Sequence, residues 1–327
     1  MHKRPFGRTG MEVPELVLGG GIVGGILILA DEDTRRTALE RTVAAGIDWI
    51  DTAAQYGNGV SEETIGRNLP TLHPRPRIST KFRLKPADLF DIGGAVERCL
   101  EASLKRLDLD RIELFQLHNQ LGGGDPNRAM PVEHVLRKEG VADALDALKA
   151  RGLIAASGFT ALGETHALMQ VANSGRFDSA QVYYNMLNPS AAWTKAPAGW
   201  PAQDFSGLIA ACRRHGTAVM NIRAMAGGAL ASPERHGREV VIASGAELDR
   251  DFARAAAVRE ALGADFGTPA QTAIRFALAN PDIACIDFGI ATLAHLDEAL
   301  AAYALGPLPD EAIRRLEPLW ASDFGLA

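Results

Sequence analysis

The chain has 327 residues, 47% of them apolar and 23% charged, with a formal net charge of −6; this is a globular composition without the basic surface that a nucleic-acid backbone requires. Its length suits either two ordinary domains or one large α/β barrel. Cys99, Cys212 and Cys285 lie far apart in apolar stretches, as free thiols do in a reducing compartment, and neither Cys-x-x-Cys nor His-x-x-x-His spacing marks a metal site.

Residues 3–13, with the turn Gly7-Arg8-Thr9-Gly10, suit a β-hairpin that plugs one end of a larger structure and carries no chemistry. Residues 16–30 (LVLGGGIVGGILILA) are an apolar run behind Glu12 and Glu15. Fifteen residues with five glycines are too short and too weakly helical to span a bilayer, so the run reads as a buried strand entering a Gly-rich loop, not as an export signal. Neither a membrane nor nucleic acid is an expected partner, and the expected location is the cytoplasm. The glycines lack the ordered spacing of the doubly wound dinucleotide fingerprint.

From residue 16 onward apolar, β-branched runs alternate with amphipathic stretches. Strands are predicted at 16–18, 48–51, 78–81, 112–118, 154–159, 179–183, 218–222 and 284–288. Helices are predicted at 33–45, 61–68, 92–107, 133–150, 162–173, 205–215, 248–278 and 293–302. In the third, Val96, Leu100, Leu104 and Leu107 form the buried stripe while Glu97, Glu101 and Lys105 face outward. Asn280-Pro281 stops the seventh before the last strand. Eight strand–helix units in this order predict a (β/α)8 TIM barrel with an N-terminal hairpin plug, one domain over 1–327. Segments 185–204 and 231–248 do not fit the alternation; both follow strand C-termini, where a barrel builds its active-site rim.

Polar residues that end otherwise apolar barrel strands are the informative ones. Strand 48–51 ends in Asp51, with Tyr56 in the loop that follows (DTAAQYGNG), strand 78–81 in Lys81, and strand 112–118 in His118. Singly, each has an ordinary reading: a turn cap, a solvated hydroxyl, a surface charge, a core imidazole. At successive strand ends of one barrel, the four make a proton-transfer site. A free phenol titrates near about 10 and a free ammonium near about 10.4, so neither works at neutral pH unaided. An ammonium beside the phenol stabilises the phenolate and lowers its pKa, and the aspartate keeps that ammonium charged. Tyr56 is therefore expected to exchange the proton and His118 to hydrogen-bond the substrate oxygen. The hydride must come from a cofactor, since no side chain supplies one.

The passages GIDWIDTAAQYGNGVSEETIG, ISTKF and CLEASLKRLDLDRIELFQLHNQ carry these four residues, and through them the chain resembles the aldo-keto reductase family along nearly its whole length. The resemblance implies the barrel fold, a nicotinamide cofactor lying extended across its mouth, a small-molecule carbonyl or sugar as substrate, and these roles for Asp51, Tyr56, Lys81 and His118. It also implies cofactor contacts: Gln181 and Thr160 at the carboxamide, Asp51 and Gly20 on the nicotinamide ribose side, Gly289 and Thr292 at the helix start that meets the adenosine phosphate, and Glu298 near the adenine.

Several residues depart from the family pattern. Ala161 stands where an asparagine is usual. Ile222 and Arg223 occupy the region where many relatives stack an aromatic on the nicotinamide, which leaves stacking to Tyr184 or Trp193. FGIATLAHLDEAL carries no Lys or Arg to clamp the 2′-phosphate of NADP. NADP is the cofactor the resemblance implies, and the missing clamp makes NAD its close alternative. The alternative activities are an NAD-dependent aldose dehydrogenase, a Schiff-base aldolase built on Lys81, and a nucleotide-sensing subunit without turnover.

Overall fold

The structure, a computed structural model, describes residues 1–243 and 247–326. β1 (Lys3–Pro5) and β2 (Glu12–Pro14) pair antiparallel as the predicted hairpin. Four parallel strands follow: β3 (Leu16–Gly19), β4 (Trp49–Asp51), β5 (Arg77–Phe82) and β6 (Ile112–Leu117). A short pair, β7 (Gln120–Leu121) and β8 (Ala129–Met130), stands outside the barrel, which continues with β9 (Ile154–Ala161), β10 (Ser179–Tyr183), β11 (Ala218–Ile222) and β12 (Cys285–Gly289). β12 returns to β3, with Ile286 opposite Leu16 and Gly289 opposite Gly19, and closes the eight-stranded barrel.

Alternation along each strand separates a lumen from a shell. Val17, Trp49, Leu114, Ala156, Met220 and Cys285 point inward and form a small apolar cluster with Phe6 and Val13 of the hairpin. The Phe6 and Trp49 rings lie 5.0 Å apart, which seats the plug in the N-terminal end of the barrel. Arg4 locks it there by donating to the carbonyls of Leu278, Asn280 and Ile283 before β12. The intervening residues, among them Leu16, Leu18, Ile50 and Ile78, face the helices in one large continuous core.

The helices are α1 (Ile26–Leu29), α2 (Glu32–Ala44), α3 (Val60–Asn68), α4 (Ile92–Leu107), α5 (Val132–Leu136), α6 (Val141–Ala150), α7 (Thr165–Asn173), α8 (Leu208–Arg214), α9 (Leu248–Leu262), α10 (Pro269–Leu278), α11 (Leu293–Leu305) and α12 (Asp310–Ala321). Asp31 and Asp91 cap α2 and α4 by accepting from the N–H groups of Thr34 and Gly94 at 2.9 and 3.0 Å. In α4 the expected stripe is buried at Val96, Leu100 and Leu107. Two predicted helices are each a broken pair. The 133–150 stretch parts between α5 and α6, where Glu139 takes φ 59° and Gly140 packs so closely that a Cβ would lie 2.6 Å from the His134 carbonyl. The 248–278 stretch ends at Gly263, with φ 59°, and restarts on a capping box formed by Thr268 and Gln271 with Pro269 in the first turn. Helix α8 starts at Leu208 rather than 205, because the Phe205 N–H is taken by Ser190 Oγ at 3.0 Å. Helix α12, beyond the last predicted element, brings Trp320 against Trp193. Among the described residues no helix is long and apolar enough to cross a membrane.

Candidate active site

The lumen changes character one layer above the plug. Trp49 Nε1 donates to Ser79 Oγ at 3.1 Å, and Ser79 Oγ donates to Asp51 Oδ1 at 2.6 Å, so the floor of the site is tied to the core beneath it. Gln116 Nε2 reaches the same Asp51 oxygen from β6 at 3.3 Å. Lys81, fully buried on β5, spends its three N–H bonds on Asp51 Oδ2, on the Thr52 carbonyl at 2.8 Å and on Tyr56 Oη at 3.1 Å. Sequence position alone brings Tyr56 nowhere near Lys81; the turn after it does. Gly57, Asn58 and Gly59 take φ values of 61°, 53° and 97°, left-handed backbone that favours glycine and asparagine, and fold the tyrosine back over the strand ends. Its ring lies 4.6 Å from the ammonium. In the first turn of α3, the buried Glu62 accepts from Thr80 Oγ1 at 2.5 Å and from Arg106 Nε at 2.6 Å, fixing β5 from outside the barrel.

The electrostatics differ from the sequence expectation in one respect. Burial pushes the Lys81 ammonium down, but Asp51, Tyr56 and Asp287 more than offset it and hold the group above its ordinary range. For Tyr56 burial pushes the phenol up, Lys81 pulls it down, and Asp51 and Asp287 push up again, so the net direction is upward. The expected pull from the ammonium is present, but desolvation of the phenolate outweighs it. His118, just past β6, packs edge-on to Tyr56 with ring centroids 5.8 Å apart. Burial, Lys81 and Arg83 hold it well below the usual imidazole range, so it is neutral at pH 7. Its Nδ1 pairs with Gln55 Oε1 at 3.0 Å, which makes the Gln55 amide the group that selects its tautomer.

The expected cofactor contacts divide. Thr160 and Gln181 stand side by side in register across β9 and β10, and Thr160 Oγ1 and Gln181 Nε2 are buried without a partner among the described residues. An acceptor and a donor held next to each other and unsatisfied fit a primary carboxamide. Gly20 donates to the Asp51 carbonyl at 2.8 Å and packs so tightly that a Cβ would meet Ser61 Oγ at 2.4 Å. Ile222 ends β11 in the inward register, whereas Arg223, at φ 61°, turns its guanidinium to the Val240 carbonyl at 2.9 Å. Gly289 abuts Gly24 of the β3–α1 loop, and Thr292 caps α11 by accepting from the His295 N–H. Glu298 accepts from Thr268 Oγ1 at 2.6 Å and so links α11 to α10. Tyr184 is stacked on Phe276 of α10 at 5.0 Å and Trp193 packs among Trp200 and Trp320, so neither expected substitute for the nicotinamide-stacking aromatic faces the lumen. Of the segment 231–248, residues 244–246 lie outside the described residues; the rest crosses from β11 to the β3 loop, where Arg238 donates to the Val23 carbonyl at 3.2 Å.

Two lumen residues escaped the sequence reading, Gln116 and Asp287. Both are polar residues inside otherwise apolar strands (LFQLH and CIDFG), not at their ends, so the signal that marked Asp51, Lys81 and His118 passed them over.

The sequence model of the Aldo/keto reductase family matches residues 15–321. A D-threo-aldose 1-dehydrogenase of a Pseudomonas species is 29% identical over 231 residues, 62% of this chain and 66% of that protein. An L-galactose dehydrogenase of Arabidopsis thaliana is 29% identical over 145 residues, 42% of this chain and 45% of its own length. The chain therefore aligns with less than two thirds of the second and just under two thirds of the first. Among solved structures, the holo form of an aldo-keto reductase from Bacillus halodurans superposes with a TM-score of 0.72, covering 98% of this chain and 96% of that one at 21% identity, which establishes the shared fold. The match along nearly the whole chain, over a closed parallel barrel with these side chains at its mouth, means that the protein belongs to the aldo/keto reductase family.

Proposed function

We propose that the protein is a nicotinamide-dependent oxidoreductase that interconverts a carbonyl compound, an aldehyde, ketone or sugar, with its alcohol. The observation that carries this reading is the Lys81 ammonium, 3.1 Å from Tyr56 Oη and backed by Asp51, one barrel strand away from a neutral imidazole. Tyr56 gives its proton to the substrate oxygen in reduction and takes it back in oxidation. Lys81, held charged by Asp51, stabilises the phenolate that reduction leaves behind. His118 orients the substrate oxygen, accepting from an alcohol or, with the Gln55 amide turned over, donating to a carbonyl. Thr160 and Gln181 would hold the nicotinamide carboxamide, and the bound nicotinamide supplies the hydride. The charged, fully buried Lys81 is the opposite of the neutral amine that a Schiff-base aldolase needs.

A second reading concerns direction and cofactor. Residues 288–298 contain no Lys or Arg, which favours NAD, and one relative with a long alignment is a D-threo-aldose 1-dehydrogenase, which favours oxidation of an aldose. The test is fluorescence titration with NADH and NADPH, followed by turnover of a generic aldehyde and of free aldoses. Cofactor-dependent turnover in either direction supports the main reading, and tighter NADH with aldose oxidation supports the second. Binding without turnover on any substrate, or a borohydride-trapped adduct on Lys81, overturns both.

A further inference from the structure

Beneath the Lys81 ammonium the lumen holds two carboxyl groups. Asp287 lies on β12 between Cys285, which points into the lumen cluster, and Gly289, so by alternation it points inward as well. It is opposite Val17 in register, and the next inward position on β3 is Gly19, which pairs in turn with Asp51 on β4. That glycine is the reason the two acids can meet. A Cβ on residue 19 would lie 2.3 Å from Asp287 Oδ1, so the carboxyl reaches across β3 through the space a side chain would fill. It is directed there toward the Asp51 side chain on the neighbouring strand, and its Oδ1 is buried with no partner among the described residues.

Among the described residues no cation bonds this second acid, and Lys81 acts on it only through space. The three Lys81 N–H bonds go to Asp51, Thr52 and Tyr56. Asp51 Oδ1 is supplied by Ser79 and Gln116, so the first carboxylate is already solvated by the protein and the second is not. The other titratable groups around Asp287 are Tyr56 from the loop after β4 and Cys285 on its own strand, both neutral acids at pH 7; Val17 and Gly19 on β3, with Met220 and Ile222 on β11, do not titrate. Two carboxylates that converge in a buried lumen resist joint ionisation, whereas a single proton between them turns repulsion into a charge-assisted O–H···O bond.

We propose that Asp287 is a positioning residue of this reaction centre, sharing one proton with Asp51 so that a single negative charge balances Lys81. The inference rests on the proposed role of Tyr56 for its catalytic meaning, though not for the proton itself. Burial and the Asp51 charge, outweighing Lys81, hold Asp287 well above the ordinary carboxylate range, in agreement with the geometry. Without the shared proton a second negative charge would stand below the ammonium and push the phenol further up; with it, Tyr56 feels a lysine that only one acid neutralises.

Infrared spectroscopy of the whole protein at pH 7 reads the proton directly, because exposed carboxyls are then ionised and a protonated pair is not. The wild-type spectrum should carry a protonated-carboxyl band that is lost in Asp287→Asn and also in Asp51→Asn, since removing either acid leaves a lone carboxylate that Lys81 can balance. Absence of the band from the wild type overturns the proposal. So does its survival in Asp51→Asn, which would mean that burial alone protonates Asp287. Turnover gives a second readout: in Asp51→Asn the ionised Asp287 becomes the counter-charge of Lys81, so Asp287→Asn should cost at least about tenfold more in kcat/KM on that background than in the wild type. Equal costs on the two backgrounds overturn the coupling. Wild-type turnover by Tyr56→Phe would overturn the function proposed for Tyr56 and leave the infrared result standing.

Discussion

The two ends of the barrel lumen are built from the same alternating strand positions, yet they are opposites. At the N-terminal end Phe6, Val13, Trp49 and Leu114 are buried apolar groups with nothing unsatisfied. Higher in the lumen, Thr160, Gln181, Gln116 and Asp287 carry buried polar atoms without partners among the described residues, whereas near the plug one such atom is Ser179 Oγ, opposite Ala218. A core built for stability alone would not keep such atoms, since each costs about 1–3 kcal/mol when left unpaired. One end carries the apolar packing that fixes the strands, and the other keeps most of the unpaired polar atoms at a cost in stability. Substitutions should therefore separate: at the plug they should cost folding, at the mouth chemistry or binding.

The largest expected effect tests the mouth. Tyr56→Phe removes a proton donor and little packing, so kcat should fall by about 10²–10⁴-fold while the dissociation constant for the nicotinamide cofactor, followed by fluorescence, stays within about twofold. Equal loss of turnover and of affinity would make Tyr56 a binding group. At the plug, Phe6→Ala deletes a fully buried ring that packs on Trp49, two hydrogen bonds below Asp51. Unfolding in urea should reveal a loss of about 3–5 kcal/mol, with kcat per folded molecule unchanged. A fall in kcat comparable to that of Tyr56→Phe would erase the distinction between the two ends.

An intermediate effect is expected at the carboxamide pair. Gln181→Leu removes the unpartnered amide and puts an apolar group of similar size in its place. The protein should become no less stable, or slightly more so, while cofactor affinity drops about tenfold, the equivalent of one buried hydrogen bond. Calorimetric titration alongside a thermal melt separates these outcomes; a destabilised protein with unaltered affinity would mean that Gln181 serves the lumen alone.

The contrast also explains what was legible in the sequence. Strand positions, and the convergence of Asp51, Lys81 and His118 at one end of the barrel, were readable because a polar residue at or near the end of a strand stands out in a linear text. The hairpin plug was readable from its turn. Helix breaks were not read, although the signal at Thr268-Pro269 with Gln271 is a written capping box; a continuous apolar period across residues 248–278 obscured it. The break at Glu139-Gly140 is different, because it depends on a close approach of backbone to backbone that only the folded chain contains. The net upward push on Tyr56 was out of reach for the same reason: burial is a property of the assembled lumen. Asp287 needed both kinds of information, an acid in an apolar strand and a glycine on the neighbouring strand that opens the path to Asp51.

The smallest effect expected is one of slope rather than size, and it asks whether the mouth lowers stability through charge as well as through unpaired atoms. His118 is held below its ordinary range by burial first, then by Lys81 and Arg83, while in the unfolded chain it titrates near about 6.5. Between that value and the lower folded one, the unfolded chain binds a proton that the native protein refuses. Unfolding free energy therefore falls as the pH is lowered through this window, and His118 contributes no penalty above it. Replacing it by glutamine removes the titration, so the difference in urea stability between wild type and His118→Gln should be constant above pH 7 and should move in favour of the variant as the pH drops below about 6.5. Parallel curves would mean that the imidazole is free to protonate in the native protein. In that case the neutral ring assigned to the mouth, and with it the division between an end that stabilises and an end that is held ready for a ligand, would have to be drawn without His118.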